Sequence, residues 1–192
     1  MAGVFADFPA ADALRLAHYE VIPVVDEPPH IFALDAFKVL PSRFQAQLAR
    51  LLGCQGAFYC GTYFNGHLLS KVAFRLDGSI PSYGIHGAHN PPQGSRYEIP
   101  TTDRIVLLHY NCVSYRDWVA KWERKLAGGM NRYFPERGKI QARDFLEARE
   151  AGESALIELF RRTNTLTPYQ RRMLSLLGLH KRIPLEIGRT PA

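Results

Sequence analysis

The stretch His109-Tyr110-Asn111-Cys112-Val113-Ser114 brings an imidazole, a phenol, a thiol and a hydroxyl close together. Ligands of α/β proteins gather beyond the carboxyl ends of strands, and the free N–H groups of a helix start suit phosphate. His109 therefore reads either as a ligand contact or as a half-buried histidine bonded to a backbone carbonyl. Two more histidines, His86 and His89, lie in the small-residue loop Gly84-Ile85-His86-Gly87-Ala88-His89-Asn90. Imidazoles suit manganese, zinc and iron, and the glycines leave room for a ligand. No carboxylate stands beside them, so exposed loop histidines are the alternative, above all for His89. His67 and the cations Lys71 and Arg75 form a third group, which reads equally well as a turn and an exposed strand charge. Cys54, Cys60 and Cys112 are odd in number, fit no zinc spacing, and read as reduced, buried thiols. The chain has no Gly-x-Ser-x-Gly elbow, phosphate-loop Gly-Lys-Ser/Thr, His-Glu-x-x-His or Asp-x-Asp.

These residues need elements to hold them. Arg104-Ile105-Val106-Leu107-Leu108-His109-Tyr110 is an apolar run of strand length, expected to be buried on both faces. Ser114 and Asp117 mark a helix start; Tyr115, Trp118, Val119, Trp122 and Leu126 share its apolar face, and Gly128-Gly129 stops it. Lys71–Arg75 alternates as a half-buried strand before the turn signal Asp77-Gly78. Ala13–Val25 reads as one or two short strands, ended by Asp26-Glu27-Pro28-Pro29. Ser42 and Gln45 have capping-box spacing for a short helix, whose apolar face is expected to be Phe44, Leu48 and Leu51 or Leu52, with Gly53 as its stop. Residues 57–64 suit a strand or packed loop. The proline- and glycine-rich stretch Ile80–Thr102 reads as a long ordered loop. Helices are expected over about 140–162 and 168–177, the second with Thr167 as cap, Pro168 at its first position and Gly178 beyond its end.

Composition divides the chain. It has 192 residues and a net charge of +6. Residues 1–115 carry −1 and six of the seven histidines, whereas residues 116–192 carry +7. Length and 46% hydrophobic content allow a real core without staples. No apolar run approaches the ~20 residues of a membrane span, and the first residues lack a signal-peptide pattern, which points to a cytoplasmic setting. The paired bases Arg161-Arg162, Arg171-Arg172 and Lys181-Arg182 read as a solvated helix surface, a contact for anionic lipid, or a nucleic-acid surface. No nucleic-acid module accompanies them, so nucleic acid is not the expected partner.

Taken in order, three segments resemble the C-terminal half of bacterial family-two-like glycosyltransferases of the GT-A fold. Gly66-His67-Leu68-Leu69-Ser70-Lys71-Val72-Ala73-Phe74-Arg75 is similar to the family's strand bearing a lysine and an arginine. Gly84-Ile85-His86 resembles the histidine of the next loop. Leu107-Leu108-His109-Tyr110 through Ser114 to Lys121 resembles its His-Tyr, Ser, Lys signature. Phe8–Leu16 looks like the stretch following the family's Asp-x-Asp, and the match covers roughly residues 8–130.

The resemblance implies an α/β or α+β fold: an incomplete GT-A-like mixed sheet over 1–130, then a basic helical extension over 131–192. It implies sugar transfer from a nucleotide-sugar to a glycan or lipid-linked acceptor, at the inner membrane face. His109 would be catalytic, His86 would contact metal or diphosphate, and His67, Lys71, Arg75, Tyr110, Ser114 and Lys121 would bind substrate. An inverting transfer also needs a carboxylate base, and Asp77, Asp103 and Asp117 all remain open, Asp117 equally as a helix cap. With no Asp-x-Asp, the resemblance implies an acceptor-side half. Its divalent manganese or magnesium would be held only when an N-terminal partner half supplies the carboxylates. The alternative is a non-catalytic binding or assembly module with a basic helical tail.

Overall fold

The computed structural model describes residues 2–65, 71–75, 80–84, 86–89, 93, 96–128 and 136–185. His67, Asp77 and Gly129 lie outside them. The fold is α+β, with antiparallel strand pairs and, among the described residues, four helices in the C-terminal half. The chain forms two interleaved compact units, Met1–Tyr19 with His67–His109 and Glu20–Gly66 with Tyr110–Ala192.

The smaller unit is built on β1 (Ala13–Val21), whose last two residues belong to the larger one. A short turn, α1 (Ala2–Phe5), precedes it. β1 is almost wholly buried, which explains why its sequence lacks a clean alternation. β3 (Val72–Phe74) pairs with it antiparallel, Leu14 opposite Ala73, and β6 (Thr101–His109) also pairs with it. β6 is only half-buried from Ile105 to His109, and Arg104 is exposed, so it is not the doubly covered strand its apolar run predicts. The Ile80–Thr102 stretch is not one loop: it holds the hairpin β4 (Ser82–Gly84) and β5 (Gly87–His89), with Phe74 and Tyr83 rings 4.7 Å apart. Phe5, Ala11 and Leu14 form this unit's core.

In the larger unit, β2 (Ala36–Val39) follows the end of β1, where Ile22 N–H donates to Ala36 O, and pairs antiparallel with β7 (His180–Arg182). α2 (Arg43–Ala49) begins with the expected capping box between Ser42 and Gln45. It runs into a wider turn, Arg50–Cys54, closed by Gly53 at φ 77°. Its buried side is Ala49 and Cys54; Phe44 and Leu51 face outward, the reverse of the expected apolar face. Residues 55–61 form short 3₁₀ turns, a packed loop. α3 (Tyr115–Ala127) starts at Ser114 and ends at Gly128, and Trp118 and Trp122 are buried as the periodicity requires.

The single helix expected near 140–162 is two: α4 (Glu136–Ala151) and α5 (Glu153–Asn164). Gly152, at φ 102°, takes a conformation an L side chain rarely adopts and so breaks the run. α6 (Pro168–Leu176) has the Thr167–Gln170 capping box, proline at its first turn and Gly178 at φ 70° beyond its end. Phe145 of α4 and Leu156, Leu159 and Phe160 of α5 pack on Cys112, Trp118 and Trp122 in one core. The α4–α5 pair therefore completes the core under α3 rather than standing apart as an extension beyond residue 130. Ile22, Phe64, Leu174 and Leu179 anchor a second core. Among the described residues no helix is long and apolar enough to cross a membrane.

Candidate functional site

The signature block lies where β6 gives way to α3. Ser114 is fully buried, with extended backbone, and caps α3 by accepting from Asp117 N–H at 3.1 Å. Its hydroxyl donates to Glu27 Oε1 at 2.7 Å. Asp117 accepts from Val113 N–H, just before the helix, at 3.1 Å. Tyr115 N–H donates to Val24 O, and Val24 N–H to Val113 O. The helix-start donors of Tyr115 and Asp117 are thus committed inside the protein, and a carboxylate stands beside them. A phosphate has less to gain there than the sequence pattern predicts.

Lys121 sits nearly two turns into α3 and folds back. Its Nζ donates to Asn111 O at 2.7 Å and to Asn111 Oδ1. Burial pulls its pKa down, opposed by Cys112, Glu20 and Asp117 nearby. Cys112 is buried; desolvation pushes its pKa up to about 12, and its thiol donates to Ser114 O. Burial raises Cys54 and Cys60 too, so none of the three has the lowered pKa of a nucleophilic cysteine. Tyr110 packs edge-on against Phe37 and Phe32, at 5.8 and 6.1 Å. Its buried hydroxyl has no hydrogen-bond partner among the described residues.

Around Lys121 the structure assembles polar groups that the sequence reading did not single out. Glu20 and Lys38 are fully buried. Glu20 accepts from Asn65 N–H at 2.6 Å, and Lys38 Nζ donates to Tyr63 O at 3.1 Å. Asn65 Nδ2 donates to Thr163 O and to Asn164 Oδ1. Arg137 of α4 donates to Phe64 O at 2.7 Å. Burial lowers the pKa of both Lys38 and Arg137, and Glu20 opposes the shift in each. Glu20 is the acidic neighbour common to Lys38, Lys121 and Arg137. Lys125, its Nζ 4.5 Å from the Trp122 ring centre, is pushed down to about 8 by burial, with Lys121 and Arg137 adding to the effect. A recess lined by Asn65, Asn111, Lys121, Lys125 and Asn164 encloses about 30 Å³, which fits a water rather than a sugar.

No protein-family model, curated protein or solved structure matches this chain.

The remaining predicted site residues lie in the smaller unit. Arg75 donates to the carbonyls of Ala11, Phe5 and Phe8 at 3.0–3.2 Å and stacks on the Phe5 ring, which ties down the N-terminal segment. Lys71 borders β3, and its carbonyl accepts from Leu16 N–H. His86 occupies the β4–β5 turn, half-buried; His89 is exposed. His109 ends β6 with its ring edge-on to buried His18, the centroids 6.4 Å apart. Asp103 is exposed on β6. His67 and Asp77 lie outside the described residues. Among the described residues no three His, Cys, Asp or Glu side chains come together to hold a metal ion. A single imidazole such as that of His86 supplies one donor, and a divalent cation needs several.

The sequence signals that could have found the missed groups are Glu20 within the apolar β1 run and Lys38 within β2. Polar residues where a core is expected must find hydrogen-bond partners there, and so mark a buried polar network.

Proposed function

We propose that the chain is the acceptor-side part of a GT-A-type sugar transferase. It acts in the cytoplasm at the inner membrane face, on a nucleotide-sugar and a glycan or lipid-linked acceptor. One observation supports this reading above the others: the ordered series Lys71, Arg75, His86, His109-Tyr110, Ser114 and Lys121, which resembles the family's signature. In the structure the last part of that series is a strand end, a capped helix start and a lysine returned to the connecting loop. On this reading Arg75 and Ser114 position the chain, and Tyr110 and Lys71 meet substrate. His109, at the end of β6, is the catalytic residue on this reading and lines the diphosphate or acceptor side. The divalent cation belongs to a partner half, and no step is assigned to it.

Nucleotide release from UDP- and GDP-sugars with manganese tests the reading, using the chain alone and then with an Asp-x-Asp-bearing partner half. Release in the second mixture, lost in His109→Ala, is the expected result. Silence in both mixtures overturns it.

The internal commitment of Arg75, Ser114 and Lys121 favours a second reading, a non-catalytic binding or assembly module. Stable co-purification with a partner half that turns over equally well without this chain supports it.

A further inference from the structure

α2 with its terminal turn lies alongside α6, running antiparallel. Tyr169 Oη donates to Leu52 O at 2.7 Å at one end of the pair, and Gln45 Nε2 donates to Leu177 O at 2.9 Å at the other. Their inner sides, Ala49 and Leu174, are fully buried. The outer sides are apolar as well. Phe44 and Leu51 are 72% and 85% exposed; Tyr169 and Leu176 are 53% and 75% exposed. Each pair is seven residues apart, two helical turns, so each forms a stripe, and the two cross-bonds hold the stripes side by side. Scattered exposed leucines need no explanation, but four large exposed apolar side chains on two cross-bonded helices mark an interaction surface.

Charge identifies what covers it. Ser42–Cys54 and Thr167–Arg182 together carry six lysines and arginines and no acidic residue; Arg182 pairs with Asp35, Arg50 and Arg171 bond backbone carbonyls, and Arg43 and Arg172 are exposed. Arg172 sits between Tyr169 and Leu176 on the same side of α6, three and four residues from each. A second copy of this chain would set that basic rim against itself. An anionic bilayer accepts both parts, the rings and leucines entering the acyl boundary while the arginines meet headgroup phosphates.

We propose that the Phe44/Leu51 and Tyr169/Leu176 face is a peripheral membrane-docking surface for anionic lipid. It deepens the membrane-side location proposed above. Its test reads lipid binding and not sugar transfer, so either can fail alone.

Flotation with phosphatidylcholine vesicles, with and without phosphatidylglycerol, reads it directly. The expected result is flotation with anionic vesicles only, weakened but not abolished by high salt. Leu51→Glu with Leu176→Glu, both at exposed positions, should cost at least ~tenfold in vesicle affinity, and Arg172→Glu several-fold, with circular dichroism unchanged. Three results overturn the proposal. One is no flotation with anionic vesicles. Another is flotation indifferent to the paired glutamates, which is adsorption by charge alone. The third is a dimer in sedimentation that the same glutamates dissolve, which makes the face a contact between copies.

Discussion

Lys125 shows how a single residue senses its surroundings. The unfolded chain gives lysine a pKa of about 10.4, whereas burial beside Lys121 and Arg137 brings Lys125 to about 8. Between those values the unfolded state holds a proton that the folded state has released, so this residue makes stability rise with pH across that window. Below about pH 8 its full penalty applies. Lys125→Met should therefore raise the melting temperature at pH 7, with the gain shrinking towards pH 10, as read by thermal melts across that range. Glu20 has the opposite role. Removing it leaves Lys38, Lys121 and Arg137 without their shared counter-charge. Glu20→Ala is expected to cost about 3–5 kcal/mol in urea unfolding.

At the scale of elements, caps and breaks are the parts most legible in the sequence. The Ser42–Gln45 and Thr167–Gln170 boxes, the Ser114 cap and the Gly178 stop were all readable, because each depends on residues within a few positions of one another. Ser114 also bonds Glu27, a partner no local pattern reveals. Ser114→Ala should thus cost about 2 kcal/mol, at the top of the usual capping range, as measured by chemical denaturation. Gly152 carries the α4–α5 break. Nothing lies within 4 Å of a Cβ built there, so Gly152→Ala tests backbone strain alone. It should destabilise by about 1–2 kcal/mol in the same assay. The α2 face was misread because helical periodicity locates an apolar stripe without telling which side a neighbour will cover. Ala46 and Ala49 are small enough for α6 to approach closely, and Phe44 and Leu51 are left outside.

The composition of the whole chain divides near residue 115, but its packing does not. Cys112, Trp118 and Trp122 share one core with Phe145 of α4 and Phe160 of α5, so a fragment ending at residue 130 loses half of that core's walls. Residues 1–130 expressed alone should bind a hydrophobic dye such as ANS and melt without a cooperative transition, whereas the full chain melts cooperatively. The basic back half is likewise more than a charged tail: Arg137 and Lys121 bond the carbonyls of Phe64 and Asn111, and Arg172 stays on the exterior.

Periodicity, caps and turn residues determined from the sequence alone that this chain mixes strands and helices, as α/β or α+β, with a strand–helix signature at 104–127 and basic helices behind it. They act over a few residues, so a linear reading reaches them. Tertiary structure decided three further things: that Glu20, Lys38, Lys121 and Arg137 share one buried polar cluster, that Ser114 and Arg75 bond inward, and that Phe44 and Leu51 face out. Each depends on groups distant in sequence meeting in space, where burial sets the strength of a charge and the shape of a neighbour sets which face is left open.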